Sequence, residues 1–352
     1  MKIYTDISHY LPDKRAELFP VLKPYIGKSK DFTDELCMLQ YGFTPDRYTL
    51  VSNLEAADLC ILPMSWNYYV NSNKVALAKT FVEAAEAAHK KVVSFTSGDY
   101  GVKVPYYQHL IVYRQSGYRS RLPETHLGIP VFITDPLRKH FKRETPVLRP
   151  YEKKPVVGFC GQTNTSIANA FKEIGRVLWR NIRFYLGRVP HEPQQLLSSS
   201  YLRGEVLEQV RKAAGLCANF IERKKYRAGA SDATAREKTT EEFYQNIVDS
   251  DYIICVRGGG NFSVRFYETL AMGRIPIFIN TDCLLPMANE IDWKQHVVWV
   301  ESHQIKNLEQ LVKNFHEAHT SESFQQLQRV NRKLWEEKLR LAHLIPTKTE
   351  EI

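Results

Sequence analysis

Short apolar runs alternate along the chain with longer segments of helical periodicity, and this alternation restricts the fold more than any other feature. Short apolar runs predict buried strands, and helices between them predict βαβ units in a parallel sheet. The predicted strands lie at 2–5, 57–62, 91–95, 110–113, 130–134, 155–161, 181–186, 252–256 and 275–279. The predicted helices lie at 73–89, 162–179, 203–214, 238–249, 264–272, 308–315 and 323–341. The sequence therefore predicts the α/β class.

A linker-like segment divides the predicted elements into two series. The length of 352 residues favours two domains, and residues 145–155 carry three prolines among charged residues, a composition typical of an extended linker. We predict one Rossmann-like domain over 1–150 and a second over 151–322. Parallel sheets bind ligands at the carboxyl ends of their strands, so the two doubly wound domains should face each other across a cleft that holds the functional site.

Composition excludes several classes of protein. With 43% hydrophobic and 25% charged residues, the chain resembles soluble globular proteins and not disordered ones. No apolar run approaches the ~18–20 residues that a membrane span needs, and the first residues lack a secretory signal, so we expect a cytoplasmic protein. The six cysteines lie far apart and form no cluster with the spacing of metal ligands, so we expect no metal.

The positive charge favours an anionic partner. The net charge is +9, and one basic cluster occupies residues 223–227. No nucleic-acid-binding module is visible, and aromatic residues are not interleaved with the basic ones, so we expect no specific nucleic acid. A nucleotide, an acidic glycan and peripheral contact with a phospholipid surface all remain open as partners.

The most informative motif lies in residues 251–279, where a predicted strand leads into glycines and then a helix. In order along the chain, the motif contains Arg257, Gly258, Gly259, Gly260, Ser263, Arg265 and Glu268. The glycines allow a ligand to approach the backbone closely, and the free N–H groups at the start of the helix favour a phosphate. The arginine can pair with a diphosphate, and the glutamate can accept hydrogen bonds from a ribose. The glycines do not follow the G-x-G-x-x-G pattern, so a dehydrogenase is not favoured.

This motif, followed by Gly273, Ile275–Pro276, Leu285–Pro286 and Ile291–Trp293, resembles the C-terminal signature of exostosin-type glycosyltransferases. These enzymes use sugar nucleotides and have two Rossmann-like domains in the GT-B arrangement. The resemblance is good over about 238–300.

Residue roles follow from the resemblance. Glu268 would hold the donor ribose, and Ser263 and Arg265 would hold the diphosphate. Weaker similarity over 155–203 adds Gly161 and Arg203 to this donor site. The resemblance also implies that the helix within 323–352 crosses back to pack on the N-terminal domain.

The resemblance implies an inverting transferase. It would move a hexosyl or glycuronosyl residue from a nucleoside diphosphate, with UDP expected from the family alone, to a hydroxyl of a glycan or oligosaccharide acceptor in polysaccharide or glycoconjugate synthesis. The base that deprotonates this hydroxyl would come from the N-terminal domain. Asp99 follows a strand and a glycine, while Asp6 and His9 follow the first strand and remain alternatives.

The leaving diphosphate needs compensating positive charge. No Asp-x-Asp motif suited to a divalent ion is present, so Arg203, Arg257, Arg265 and the helix N-terminus would supply this charge without a metal or another cofactor. The alternative function is a non-catalytic nucleotide- or glycan-binding protein on the same scaffold.

Overall fold

The computed structural model describes residues 1–27, 33–42, 45–224, 229 and 232–345. They form two separate sheets in which every strand pairing is parallel. The N-terminal sheet has six strands and the C-terminal sheet has five. Helices flank both sheets, and the predicted fold class of two Rossmann-like α/β units is confirmed.

The N-terminal sheet has the strand order β2-β1-β3-β4-β5-β6. Its strands are β1 (Lys2–Tyr4), β2 (Thr49–Leu50), β3 (Leu59–Ile61), β4 (Val92–Thr96), β5 (Leu110–Arg114) and β6 (His126–Gly128). Its helices are α1 (Asp34–Tyr41), α2 (Trp66–Asn71), α3 (Val75–Ala87) and α4 (Pro136–Phe141). Every residue of β3 and β4 is buried, which explains why apolar residues predominate in both strands.

The C-terminal sheet has the order β11-β10-β9-β7-β8. Its strands are β7 (Val156–Gln162), β8 (Cys217–Arg223), β9 (Tyr252–Cys255), β10 (Ile275–Asn280) and β11 (Val298–Glu301). Its helices are α5 (Ile167–Tyr185), α6 (Ser199–Lys212), α7 (Ala233–Val248), α8 (Val264–Ala271), α9 (Leu308–Glu317) and α10 (Ser321–Lys338). In each sheet the chain order reverses between the first and third strands, and such a reversal opens a crevice at the carboxyl ends of those strands.

Two predicted strands are wrong. Residues 130–134 form no strand, and β6 takes the sheet edge instead. After the Ile129 amide bonds to the Arg114 carbonyl at 2.8 Å, the chain reaches Pro130, which has no N–H to continue the ladder. Residues 181–186 are helical down to Tyr185 and belong to the end of α5.

Helix α5 continues past the predicted end because nothing interrupts it. The Ser166 hydroxyl caps its first turn, and Gly187, with φ of +67°, follows its last. Ile182, Phe184 and Leu186 alternate as they would in a strand, but Leu178, Ile182 and Leu186 also recur at helical spacing. With no proline or glycine from 176 to 186, the helix persists.

The chain returns to the N-terminal half after α10. Within this helix, Arg332 forms a bidentate pair with Asp135, with distances of 3.0 and 2.6 Å, and both side chains are buried. Trp335 packs in a cluster with Leu137. Residues 341–345 then contribute four apolar side chains to the N-terminal core. No helix in the described ranges combines the length and the hydropathy needed to cross a bilayer.

Candidate functional site

The glycine-rich turn after β9 meets the N-terminal half. A Cβ atom on Gly259 would lie 2.8 Å from Oδ2 of Asp99, and one on Gly260 would lie 2.7 Å from the Asp99 carbonyl oxygen. Real Cβ atoms essentially never approach that closely, so glycine is what lets the two halves touch here. The structure therefore brings Asp99 next to the predicted donor turn.

Hydrogen bonds between the halves hold this turn in place. The Asn261 amide N–H donates to Ser116 Oγ at 2.9 Å, and its side-chain amide donates to the Gly117 carbonyl at 2.9 Å. The Arg257 guanidinium donates to the Tyr118 hydroxyl at 2.9 Å and lies 5.6 Å from the centre of that ring. Arg257 was predicted to neutralise the diphosphate, but its Nη1 is engaged with the N-terminal half.

Arg265 extends from the first turn of α8 across the carboxyl ends of two strands. Its Nη2 donates to the Cys160 carbonyl of β7 at 2.7 Å, and its guanidinium lies 4.3 Å from the centre of the Phe159 ring. A Cβ on Gly161 would lie 2.7 Å from Nη2, so this glycine leaves room for the guanidinium. The buried Nε of Arg265 has no hydrogen-bond partner among the described residues.

Arg203 lies beside Arg265. Its Nη1 donates to the Gln162 carbonyl at 2.6 Å, at the end of β7. Burial and the neighbouring Arg265 guanidinium lower the pKa of Arg203 to about 10, and burial also lowers the pKa of Arg265. Both side chains remain protonated at neutral pH, so two like charges share a poorly solvated site that a bound anion would stabilise.

Glu268 lies one turn after Arg265 on the same face of α8. The Tyr244 hydroxyl of α7 donates to its Oε1 at 3.1 Å. The Tyr244 ring stacks on His140, with 4.6 Å between ring centres and 28° between planes. Burial lowers the pKa of His140, with help from Lys139 and Lys142, which favours the neutral imidazole. A carboxylate and a flat aromatic surface thus lie side by side.

Ser263 is the residue at which α8 begins, as predicted. Its side chain makes no capping hydrogen bond within the described residues. The first N–H groups of an α-helix lack intrahelical partners and carry partial positive charge. The start of α8 therefore adds to the positive potential of the two arginines.

These groups line one cavity of about 850 Å³, a volume suited to a nucleotide-sized ligand. The predicted residues that line it are Asp99, Gly161, Arg203, Arg257, Gly258, Gly259, Ser263, Arg265 and Glu268. Gly260 contacts Asp99 at its edge. The described lining contains six Lys or Arg residues and three Asp or Glu residues, so the cavity favours an anion.

A tight turn after β4 presents Asp99 to the cavity. Gly98 has φ of +73°, and the Asn67 side chain bonds to both sides of the turn. Its Oδ1 accepts from the Ser97 N–H at 2.9 Å, and its Nδ2 donates to the Tyr100 carbonyl at 2.9 Å. Asn67 is itself buried in α2, so the position of Asp99 is fixed by the core of the N-terminal half.

Asp6 and His9 are not brought to this cavity. Asp6 caps the short helical turn at Ile7–His9 by accepting from the Ser8 N–H at 3.0 Å. The His9 ring is buried against Phe81 and hydrogen-bonds through Nδ1 to the Tyr69 hydroxyl at 2.7 Å. Burial lowers the pKa of His9. In the segment after β1, both side chains therefore stabilise the local fold.

Several lining residues were not predicted as site residues. They are Lys139, His140, Arg223, Arg236, Thr239 and Tyr244. Arg223 ends β8 and opens the basic cluster at 223–227, of which residues 225–227 lie outside the described ranges. Arg223 could have been predicted as a site residue, because it is a basic residue at the carboxyl end of a strand. No local sequence pattern identifies His140 as a site residue.

A second cavity, of about 690 Å³, lies beyond β10 and is lined by Arg119, Asp282, Trp293 and Trp299 among others. Trp293 is only 5% exposed and packs on Phe266, so it belongs to the core. The described lining of this cavity contains neither a pair of adjacent buried arginines nor the start of α8. Nowhere in the described part of the chain do three His, Cys, Asp or Glu side chains group so as to hold a metal ion.

Comparison with known proteins supports the interpretation of this region. The family model described as the exostosin GT47 domain matches residues 194–315. Exostosin-1 of Drosophila melanogaster is 28% identical over 83 residues, which cover 24% of this chain and 11% of that protein. Two probable glucuronosyltransferases of Oryza sativa subsp. japonica are each 29% identical over 70 residues, which cover 20% of this chain and 17% and 16% of those proteins.

The matched segment contains β8 to β11 and the whole glycine-rich turn with α8. The predicted resemblance to exostosin-like glycosyltransferases is confirmed, and residues 194–315 are the part of the chain that matches the exostosin GT47 model. The alignments with the curated relatives span less than a fifth of each relative's own length.

Proposed function

We propose that this protein is a glycosyltransferase that binds a UDP-sugar in the 850 Å³ cavity and transfers the sugar to a hydroxyl of a glycan acceptor. One observation carries the proposal. Arg203 and Arg265 converge on the carboxyl end of β7, beside the start of α8 and Glu268. Both arginines and Glu268 lie in the segment that matches the exostosin GT47 domain. This combination of charge and carboxylate suits a nucleoside diphosphate.

The diphosphate is assigned to the arginine pair. A dianionic group between the two guanidinium groups would relieve their mutual repulsion, and the buried Nε of Arg265 would gain a partner. The N–H groups at the start of α8 would donate to the same phosphate oxygens. Arg257 contributes charge from the edge of the site while it holds Tyr118.

The nucleoside is assigned to the region around Glu268. A carboxylate that Tyr244 already orients can accept hydrogen bonds from two ribose hydroxyls. The stacked rings of His140 and Tyr244 offer an apolar surface for a flat base. The choice of uracil over other bases comes from the family resemblance.

The reaction is a single displacement with inversion at the anomeric carbon. The acceptor oxygen forms a bond to this carbon, while the bond from the carbon to the diphosphate oxygen breaks. The Asp99 carboxylate takes the proton of the acceptor hydroxyl, and Arg203 and Arg265 stabilise the charge that develops on the leaving diphosphate. Support for Asp99 as the base is its place at the meeting point of the two halves.

The names of two relatives suggest the first sugar to test. Both rice proteins are described as probable glucuronosyltransferases, so UDP-glucuronic acid is the first donor to offer, followed by UDP-hexoses. Turnover with any of these donors would separate an enzyme from the non-catalytic binding protein that the same scaffold also allows.

Calorimetric titration with UDP tests the donor site directly. We expect Glu268→Ala to weaken UDP binding about ten- to a hundredfold, because a buried hydrogen-bonded contact to the ribose is lost. Inorganic pyrophosphate, which has no ribose, should bind the variant and the parent equally. Glu290→Ala, which removes an exposed carboxylate from the second cavity, is the matched control and should leave UDP binding unchanged. Unchanged UDP affinity in Glu268→Ala would refute the assignment.

A further inference from the structure

Helix α5 turns its apolar side chains away from the protein. Of its nineteen residues, Ala170 alone counts as buried. Phe171 is 71% exposed, Trp179 is 58% exposed and Tyr185 is 76% exposed. The exposed apolar side chains of the helix and its C-cap are Ile167, Phe171, Leu178, Trp179, Ile182, Tyr185 and Leu186. At 100° per residue they occupy one continuous face, which we call the α5 apolar face.

The side of α5 that faces the protein combines the partly buried Ile174, Val177 and Phe184 with polar groups that bond to other segments. Glu173 accepts from the Ser200 hydroxyl at 2.8 Å. Asn181 exchanges two hydrogen bonds with the backbone of Gln194, at 2.7 and 3.0 Å. These bonds fix the rotation of the helix about its axis. Soluble proteins bury the apolar stripe of a surface helix, whereas α5 leaves most of its apolar side chains exposed.

Positive charge borders the α5 apolar face. Lys172, Arg176 and Arg183 are exposed and follow one another along its edge, and Arg188 lies just beyond the helix. Glu173 is the one acidic residue of α5, and it points inward to Ser198 and Ser200. The outward surface is therefore apolar at its centre and cationic along one side.

We propose that α5 lies on the surface of an anionic phospholipid bilayer with its apolar face between the headgroups. A helix of large amphipathicity, with Trp, Phe and Leu on one face and Lys or Arg beside it, is typical of interfacial binding. Trp179 and Tyr185 have the amphipathic rings that favour the headgroup region. The long arginine and lysine side chains can reach lipid phosphates while their stems cover apolar surface.

Charge complementarity favours a bilayer over a second copy of the chain. If two α5 apolar faces packed on each other, their cationic edges would lie in one interface without acidic partners from either helix, and like charges in an interface are destabilising. An anionic bilayer offers phosphate groups along the whole length of the helix, which is about 28 Å at 1.5 Å per residue.

Membrane contact would orient the rest of the molecule. The Arg180 guanidinium, on the inward side of α5, lies 3.7 Å from the centre of the Tyr100 ring, and Tyr100 follows Asp99. The helix is thus fixed to the turn that bears Asp99. The proposal concerns a surface outside the donor cavity and holds whether or not the chain transfers sugars.

Flotation with lipid vesicles tests the proposal on the whole chain. We expect the protein to float with vesicles of equal phosphatidylglycerol and phosphatidylcholine, and to float much less with phosphatidylcholine alone or at high salt. The double variant Phe171→Glu, Trp179→Glu should bind at least tenfold more weakly. Tyr106→Glu is the matched control, because Tyr106 is also 71% exposed but lies in the N-terminal half, and it should float like the parent.

A charge-reversal pair tests the cationic edge separately. Lys172→Glu with Arg176→Glu should reduce binding to the anionic vesicles at least tenfold. Lys79→Glu with Lys103→Glu changes the net charge equally at exposed sites outside α5 and should have a much smaller effect. All substituted side chains are exposed, so circular dichroism melts should match the parent. If a variant melts at a lower temperature than the parent, tryptophan fluorescence provides a second test. The emission of the parent should shift to the blue on binding vesicles, and the conservative Trp179→Phe should remove that shift.

Two results would overturn the proposal. One is equal flotation of the parent and the Phe171→Glu, Trp179→Glu variant. The other is a stable dimer of the parent in lipid-free solution that the same double variant converts to monomer, because the apolar face would then be covered by a second copy.

Discussion

The first five strands of each sheet have the same order, but the side chains at the carboxyl ends of the strands differ between the two sheets. At the carboxyl ends of the strands in the N-terminal sheet, side chains form hydrogen bonds with one another. His9 bonds to the Tyr69 hydroxyl, and the Trp66 indole donates to Ser94 Oγ at 3.0 Å. At the carboxyl ends of the strands in the C-terminal sheet, Arg203 and Arg265 donate to backbone carbonyls, and an open cavity lies beside them.

The comparison teaches that the fold provides two crevices and that loop residues decide which one binds a ligand. Aromatic and hydroxyl groups fill the first crevice and stabilise the N-terminal core. Glycines and arginines keep the second open and charged. Asp99 is the one acidic residue that the N-terminal half contributes to the described lining of that cavity, so each half has a separate task.

The largest expected effect comes from removing the Asp99 carboxylate, which is the base that the N-terminal half would contribute to the cavity. Asp99→Asn should lower turnover about 10²- to 10⁴-fold, because the acceptor hydroxyl loses its base. UDP binding should be retained. The measurement is UDP release from UDP-glucuronic acid with an oligosaccharide acceptor. Asp6→Asn is the comparison and should stay within about threefold of the parent, and the reverse order of the two variants would assign the base to the other crevice.

The next largest effect is the loss of stability at acid pH that comes from a buried histidine of the N-terminal half. Burial, with the neighbouring Arg114, lowers the pKa of His126 to about 4. In the unfolded chain His126 binds a proton near pH 6.5, whereas in the folded chain it binds one only near pH 4. The free energy of unfolding therefore falls by about 3 kcal/mol as the pH drops from about 6.5 to 4.

His126→Asn keeps an acceptor for the Arg114 guanidinium and removes this titration. Urea unfolding at pH 7 and pH 4.5, followed by circular dichroism, should show a smaller acid loss in the variant than in the parent. Parallel curves for the two proteins would show that His126 does not carry the effect.

A smaller effect is expected at the aromatic side of the cavity. His140→Ala removes one ring of the stack with Tyr244 and should weaken UDP binding about two- to tenfold, in line with about 0.5–1.5 kcal/mol for an aromatic pair. Affinity for pyrophosphate should not change, because it has no base to stack. If both ligands weaken equally, His140 acts on the charge of the site and not on the base.

The smallest expected effect is that of a chelator. Fixed positive charge from Arg203, Arg265 and the start of α8 would stabilise the leaving diphosphate, so turnover in EDTA should stay within about twofold of the untreated enzyme. A complete loss that Mg²⁺ or Mn²⁺ restores would assign this task to a metal ion instead of the arginines.

Sequence patterns predicted seven strands correctly and missed β2, β6, β8 and β11. The buried strands β3, β9 and β10 are rich in apolar residues, and the turn after β9 is marked by three consecutive glycines. Local patterns also explain the errors. Residues 181–186 alternate like a strand, and only the intact helix before them decides their structure. The candidate donor residues from Arg257 to Glu268 were predictable because they follow one another along one strand, turn and helix.

Contacts between distant segments could not be predicted in this way. The stacking of His140 on Tyr244 joins α4 to α7, and the bonds of Asn67 position Asp99 from another helix. The exposure of the α5 apolar face depends on bonds to Gln194 and Ser200, which come after the helix. In each case the determining partner lies outside the local pattern, so only the assembled fold reveals it.

The return of residues 341–345 to the N-terminal core has a consequence for biosynthesis. Tyr113 donates to the Leu344 carbonyl across 231 residues of sequence, and Tyr48 donates to the Ile345 carbonyl across 297. A ribosome makes about 5–20 residues per second, so the first half waits many seconds for these partners. One of the two core clusters of the C-terminal half ends at Leu327 and is synthesised before residues 341–345. The half that is translated first is therefore completed by residues that are made after that cluster.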